Sequence, residues 1–324
     1  MKAWVRERYG SPDVLRLADV PEPAEDEEAV RVHVRAVSVN AADWYSVAGN
    51  VIMALTSSGY PKPKNPLFGV DFSGVVASVG TRFDGDLKPG DEVFGGRDGA
   101  YAELVSAKNA VVRKPPNVSF EEAAGVAIAG TTALQALRDH ARVQPGQKVL
   151  VNGASGGVGT FTLQIAKALG AEVTAVCSTG KVAQSHALGA DRVVDYTRED
   201  FTRTRERYDA LIDVGGGHDF RALSRVLTPG APLVLAGVGN VKRSVVVGAL
   251  GRVGRMKLGG LVARRSCTFF IAKLNRSDMQ ELADLLADGR IRTVVGETFP
   301  FERLPDALRR LGAGGAAGKL IVTL

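Results

Sequence analysis

Residues Lys148 to Tyr196 read KVLVNGASGGVGTFTLQIAKALGAEVTAVCSTGKVAQSHALGADRVVDY, and this stretch decides the fold. Val149, Leu150 and Val151 form a short apolar run, the pattern of a parallel strand covered on both faces. The turn Asn152-Gly153-Ala154-Ser155-Gly156-Gly157-Val158-Gly159 follows at once. Glycine reaches left-handed backbone angles and carries no Cβ to keep a pyrophosphate away from the main chain. Beyond the turn, Val158, Phe161, Ile165 and Leu169 recur at helical spacing, and Gly170 stands where a C-terminal cap belongs. A helix starting at such a turn aims free N–H groups and its positive dipole end at a bound phosphate. Glycine-rich turns also serve plain strand-to-helix packing. Here strand, turn, helix and second strand come in order, which predicts a dinucleotide socket.

The second predicted strand, Glu172 to Cys177, selects the nucleotide. An NAD site places Asp or Glu about 20 residues past the glycines to hold the ribose hydroxyls. This chain reads Cys177-Ser178-Thr179-Gly180-Lys181 instead, with no carboxylate there to repel a 2′-phosphate. Lys181 is the expected counter-ion, and Ser178 and Thr179 are the expected donors. A hydrogen bond to a charged group contributes about 1.5–3 kcal/mol, so two or three of them favour NADPH by orders of magnitude. The competing reading is an ordinary helix start, capped by Ser178 or Thr179, with Lys181 in solvent.

Composition excludes several classes. With 45% apolar residues in 324, the chain can bury one large core or, better, two. No apolar run reaches membrane-spanning length, and the start MKAWVRERYG lacks a signal-peptide core. Only Cys177 and Cys267 are present, so a disulfide framework is not expected and the cytoplasm is. The net charge of +6 is spread along the chain and gives no argument for nucleic acid. One segment, Val241 to Arg265, carries Lys242, Arg243, Arg252, Arg255, Lys257, Arg264 and Arg265 without an acid. It reads as a solvated helix face, with weak peripheral membrane contact as the alternative.

The texture changes along the chain. Val30, Val32, Val34 and Ala36 alternate with Arg31, His33 and Arg35, a half-buried strand. Further strands are predicted at Val70–Val79 and Asp91–Phe94, and the acids between Asp19 and Glu28 lie in an exposed loop. From about Ala123, strands alternate with helices. They are expected at Lys148–Asn152, Glu172–Cys177, Arg192–Val194, Ala210–Val214, Leu233–Ala236 and Cys267–Ile271, as a doubly wound α/β sheet requires. Helices around Met279–Ala287 and Leu304–Leu311 and a last strand at Lys319–Thr323 close the chain.

Several landmarks, in order, carry a resemblance: SVNAADWYSVAG (Ser38–Gly49), FGVDFSGVVASVG (Phe68–Gly80), LKPGDEVFG (Leu87–Gly95), VQPGQKVLVNGASGGVG (Val143–Gly159) and the closing GKLIVTL. Nearly end to end, the chain resembles the medium-chain dehydrogenase/reductase superfamily, in its zinc-free quinone oxidoreductase (zeta-crystallin-like) branch. The resemblance implies a GroES-like, β-rich substrate domain over residues 1–122 and 272–324. Inserted within it, the resemblance implies a Rossmann domain with a six-stranded parallel sheet over residues 123–271, an active site between the two, and a homodimer, with sheet edges at Cys267–Ile271 as one way to join. Where zinc-dependent relatives carry a catalytic Cys, a Gly-His-Glu and a later Cys, this chain has Asn40, Gly69-Val70-Asp71 and an apolar Val126–Gly130. The four-cysteine loop is missing as well. Cys177 and Cys267, with the scattered His33, His140, His186 and His218, do not supply a zinc set, so no metal is expected.

The same resemblance implies the site. Asn40, Asp43 and Tyr45 are expected near the nicotinamide, with Tyr45 able to donate a proton. The alternative leaves Asn40 and Asp43 as caps of the following helix and Tyr45 as packing. Thr132 is expected at the nicotinamide end, and Ser155, Gly156, Gly157 and Val158 on the pyrophosphate. Tyr196 is expected beside the adenosine; Gly215, Gly237, Val238 and Gly239 follow strand ends, where ribose and nicotinamide bind. Phe269 and Phe270 close on the nicotinamide or pack an edge strand, and Lys319 approaches the cofactor. The implied activity is hydride transfer from NADPH to a quinone or an α,β-unsaturated carbonyl, a small hydrophobic substrate suited to Met53, Leu55 and Tyr60 of the Gly49–Pro66 loop. A metal-free aldehyde or alcohol oxidoreductase and a non-catalytic NADPH-binding protein are the alternatives.

Overall fold

The computed structural model describes residues 1–49, 59, 61–237, 247–263 and 265–324. In chain order the strands are β1 (Lys2–Arg6), β2 (Leu15–Asp19), β3 (Val30–Val39), β4 (Asp71–Val79), β5 (Glu92–Gly96), β6 (Leu104–Ala107), β7 (Val111–Arg113), β8 (Lys148–Asn152), β9 (Glu172–Cys177), β10 (Arg192–Asp195), β11 (Ala210–Asp213), β12 (Leu233–Leu235), β13 (Cys267–Phe269), β14 (Val295–Pro300) and β15 (Lys319–Thr323). The helices are α1 (Ala41–Ala48), α2 (Phe120–Ala124), α3 (Ala127–Gln135), α4 (Gly157–Ala168), α5 (Val182–Ala187), α6 (Phe220–Ser224), α7 (Val247–Val262), α8 (Arg276–Ala287) and α9 (Leu304–Ala313). Among the described residues, no helix is long and apolar enough to cross a membrane.

The chain divides into two compact units. The first holds Met1–Thr131, Leu274–Gly289 and Thr293–Leu324; the second holds Thr132–Lys273 and Arg290–Arg292. The first unit is built on β3, whose early half buries Val30, Val32 and Val34 and exposes His33 and Arg35. Period-two alternation gives one covered face, as the sequence predicts. One edge of β3 pairs antiparallel with β4; the other is shared, Val30–His33 with β6 and Ala36–Val39 with β15. The sheet runs β14-β15-β3-β4-β5-β7. Register pairs Leu320 with Val39 and Ile321 with Ser38, so the end of the chain meets the start of α1. Phe68, Phe72, Tyr101, Leu304, Leu308 and Leu320 fill the core beside β3. This unit is the β-rich GroES-like domain.

The second unit is a six-stranded sheet in the order β10-β9-β8-β11-β12-β13, with every pair parallel. Counted from β8, that is the doubly wound order 3-2-1-4-5-6 of a Rossmann fold. The strand order reverses between β8 and β11, which opens a crevice at their C-terminal ends. Val149, Leu150 and Val151 are fully buried, as a central strand requires. β8 and β9 span the predicted residues, and the helix after the turn ends at Ala168, with Gly170 left-handed at φ 82°. β13 stops at Phe269, two residues short of the predicted end. No residue pattern marks the π-helical stretch Ala136–Ala141 that continues α3, nor Arg142 after it, left-handed at φ 52°.

Candidate active site

The turn after β8 is shaped by what it lacks. Gly153 is left-handed at φ 83°, and a Cβ there would fall 2.6 Å from the Gly215 nitrogen. A Cβ on Gly159 would fall 2.1 Å from the Gly153 carbonyl. These two glycines let β8, α4 and the loop after β11 touch through bare backbone. Gly156 is different. It is the N-cap of α4, with no side-chain cap bond, and a Cβ there would meet nothing of the chain closer than 3.8 Å. The first N–H groups of α4 therefore face a space the protein leaves open, with no side chain to satisfy them. That is the geometry of a phosphate cradle. Ser155, Gly156, Gly157 and Val158 are all half-buried at its rim.

A buried polar knot holds the cradle against β11. Asn152 Nδ2 donates to Asp213 Oδ1 at 2.8 Å and to the Gly216 carbonyl at 3.0 Å. Asp213 is fully buried; it also accepts from the Gly216 N–H at 2.9 Å and pairs with Arg252 of α7. Asp213 carried no expectation, and Arg252, read from the sequence as part of a solvated helix face, is instead mostly buried against it, because its guanidinium pairs with that carboxylate. Gly215 lies just beyond the knot, and a Cβ on Gly237 would fall 2.5 Å from the Val214 carbonyl, so the loops after β11 and β12 also approach through backbone. Val238 and Gly239 lie outside the described residues, as do Met53, Leu55 and Tyr60. Phe269 packs against the core cluster under β12, and the Phe270 ring lies on His140 with centroids 4.2 Å apart. His218 packs edge-on against Phe201.

At the end of β9, Ser178, Thr179 and Lys181 follow in a single 3₁₀ turn, and Tyr196 is 59% exposed close by in sequence to β10. The expectation that no carboxylate stands here needs correction. Asp195 ends β10 in register with Cys177, and its Oδ2 accepts the Thr179 hydroxyl at 2.6 Å. It also accepts from the Thr197 hydroxyl and N–H and lies 3.4 Å from Arg198. These donors, Thr179 first, hold its carboxyl below the usual range. The acid was missed because it comes from the neighbouring strand rather than from the residues following β9.

In the first unit, α1 is seated firmly. Trp44 packs on Gly312 of α9, where a Cβ would fall 2.5 Å from the indole, and Arg6 donates to the Ser46 carbonyl and hydroxyl near the helix C-terminus. At the other end of α1 lies a buried polar cluster. Asp43 is 2% exposed; its Oδ2 accepts the Asn40 N–H and the Tyr101 hydroxyl, each at 2.8 Å. Burial pushes its carboxyl up to about 7, against the pull of those hydrogen bonds. Burial likewise keeps the Tyr101 phenol protonated, well above its ordinary value. Asp43 thus caps α1 from inside.

Asp71 is the centre of the cluster. It is fully buried, and Oδ2 accepts from the Ser38 hydroxyl at 2.7 Å and from Asn40 Nδ2 at 2.9 Å. Its Oδ1 accepts the Ile128 N–H at 2.9 Å, in the first turn of α3. Lys319, 3% exposed, extends from β15 so that Nζ donates to Asn40 Oδ1 at 2.5 Å and stands 3.4 Å from Asp71 Oδ2. The ammonium expected to approach the cofactor is turned inward on Asn40. Tyr45, half-buried on α1, completes the set of sequence-predicted residues here.

Known proteins carry the same design. Residues 26–117 match the alcohol dehydrogenase GroES-like domain family, and residues 188–322 match the zinc-binding dehydrogenase family. The mouse mitochondrial NAD(P)H oxidoreductase RTN4IP1 is 33% identical, with 100% of this chain and 89% of that protein covered. The chloroplastic NADPH-dependent alkenal/one oxidoreductase of Arabidopsis thaliana is 31% identical over 99% of this chain and 79% of that protein. Among solved structures, the quinone oxidoreductase from Coxiella burnetii superposes with a TM-score of 0.85 at 29% identity, covering 100% of this chain and 99% of that one. The chain belongs to the medium-chain dehydrogenase/reductase superfamily. It falls in the quinone oxidoreductase (zeta-crystallin-like) branch and is an NAD(P)H oxidoreductase of that family.

The zinc in one of the matched family descriptions does not fit these residues. Zinc needs thiolate, imidazole or carboxylate ligands in a tight set. Among the described residues no group of three or more His, Cys, Asp or Glu is so placed. At the Asn40–Asp71 position the donors are an amide and a carboxylate already paired to an ammonium, whose charge repels a second cation. The nicotinamide nucleotide does fit: the open cradle at Gly156 is what its pyrophosphate requires.

Proposed function

We propose that this oxidoreductase transfers hydride from NADPH to a small hydrophobic quinone or α,β-unsaturated carbonyl compound without a metal. The observation that supports this reading is the uncapped, glycine-lined start of α4, open for a pyrophosphate; the first unit, taken by itself, carries the ammonium-centred polar cluster at Asn40. A bound nicotinamide supplies the hydride. The chain's part is to hold the nucleotide and to donate hydrogen bonds where negative charge develops on the acceptor oxygen. In this reading Ser155, Gly156, Gly157 and Val158 take the pyrophosphate, and Ser178, Thr179 and Lys181 take the 2′-phosphate beside Tyr196. Thr132, Gly215, Gly237, Val238, Gly239, Phe269 and Phe270 border the nicotinamide end. Asn40 and Tyr45 serve the acceptor, with Tyr45 or solvent returning the proton.

The relatives' names point the same way, toward alkenals, alkenones and quinones. Lys181 and the absence of an acid from Ser178 to Lys181, just past β9, favour NADPH; Asp195, bonded to Thr179, is the observation on NADH's side. A homodimer is part of the proposal. Among the described residues β13 pairs on one side only; Leu261 and Val262 are exposed on the helix that packs against it, and Ile271 is exposed just past the strand. The test follows NADPH and NADH oxidation against a panel of quinones, enones and aldehydes. Turnover of quinones or enones with NADPH is expected; turnover confined to aldehydes overturns the substrate class, and equal Michaelis constants overturn the cofactor choice.

A further inference from the structure

Lys319 and Asp71 leave the Asn40 amide a single orientation. An ammonium has only donors, so the atom facing it must be the amide oxygen; a carboxylate only accepts, so the atom facing it must be the amide nitrogen. Turning the amide over would set Nδ2 against the Lys319 Nζ and Oδ1 against Asp71 Oδ2, two repulsive contacts in place of two attractive ones. The carboxylate is fixed in its turn by Ser38 and by the Ile128 N–H, and the ammonium by the register of β15 on β3. One of the two hydrogens on Asn40 Nδ2 goes to Asp71; the other has no partner among the described residues.

We propose that Lys319 is a positioning residue. Held by Asp71, it locks the Asn40 amide and polarises it, so that the remaining N–H becomes a strong donor to the acceptor's carbonyl oxygen. Donation from a cation onto Oδ1 draws electron density out of the amide, and hydrogen bonds in series strengthen one another away from water. The fixed positive charge acts through Asn40 without touching the substrate. This rests on the reading that Asn40 faces the acceptor. The charged and titratable groups around it are Lys319, Asp71, Asp43 and Tyr101, and no charge change of Lys319 is invoked.

The test begins with the wild-type rate on an enone with NADPH. If no enone or quinone is turned over, the functional reading fails, and the side-chain measurement below still tests the positioning. In Lys319→Met, kcat is expected to fall on the order of 10- to 100-fold, as when a residue orienting a reactive group is lost. The KM for the enone and the Kd for NADPH stay within about twofold, and Lys319→Arg restores part of the loss. Should Lys319→Met fail to fold with Asp71 left unpaired, the neutral pair Lys319→Met/Asp71→Asn carries the same expectation. With asparagine-selective ¹⁵N labelling, the Asn40 side-chain amide of the wild type should show two widely separated proton shifts, protected from exchange, which converge in either variant. A folded variant with wild-type kcat, an unchanged Asn40 amide signal, or a parallel loss of NADPH affinity would each overturn the proposal.

Discussion

The cradle after β8 is made by leaving side chains out, whereas the cluster after β3 is made by putting charged ones in. At Gly153 and Gly159 any Cβ collides with backbone, and at Gly156 a Cβ would intrude only on open space. In the cluster, Asp71 and Lys319 are buried almost completely and are tolerable only because each satisfies the other. The first region presents main-chain N–H groups that cannot titrate. The second presents a hydrogen-bond pattern set by side-chain charge. Substitutions should therefore fail differently: by steric intrusion in the cradle, by uncompensated charge or altered titration in the cluster.

The largest effect is expected from Asp71→Ala. It strands the Lys319 ammonium and leaves the Ser38 hydroxyl and the Ile128 N–H without their acceptor, which should cost about 3–5 kcal/mol in denaturant unfolding. Gly156→Ala should invert that outcome. The Cβ meets no protein atom within 3.8 Å, so Tm should hold, while NADPH binding weakens on the order of 10- to 100-fold in a fluorescence titration. Loss of stability with intact binding would erase the contrast between the two regions.

Asp43→Asn sharpens the comparison through pH. With its carboxyl raised to about 7, folded Asp43 keeps its proton between about pH 4 and 7, whereas the unfolded chain releases it. Wild-type stability should therefore fall as pH rises through that window and level off above it. In Asp43→Asn this slope should vanish, since an amide oxygen accepts from Tyr101 and the Asn40 N–H at any pH. Thermal melts across pH 4 to 8 check it; parallel profiles would count against it. The smallest effect belongs to Asp195→Asn. Removing the charge beside Thr179 should shift the ratio of kcat/KM values toward NADPH, roughly three- to tenfold. A shift toward NADH would mean that Asp195 does not face the 2′ position.

The two regions also differ in how far residue order betrays them. The cradle is contiguous, Asn152 to Gly159, so strand, turn and helix are visible in one window, and β8 and β9 fall where the apolar runs lie. The polar cluster joins residues far apart: Lys319 meets Asn40 across 279 positions and Asp71 across 248. No local pattern encodes that meeting. It follows from β15 lying antiparallel on β3, a pairing that the alternation in each strand does not specify. Asp195 lies between these extremes. It comes one residue past the predicted strand Arg192–Val194 and closes the observed one, where parallel register sets it opposite Cys177. Tyr101 and Asp213 carried no signal at all, since a lone aromatic in a loop and an acid at a strand end look ordinary until their partners are placed.

The most direct test of the account is a crystal structure of the protein with NADPH. It should show the pyrophosphate on the main-chain N–H groups of Gly156, Gly157 and Val158, with the 2′-phosphate against Ser178 and Lys181. A nucleotide bound elsewhere, or a cradle left empty at saturating NADPH, would contradict it.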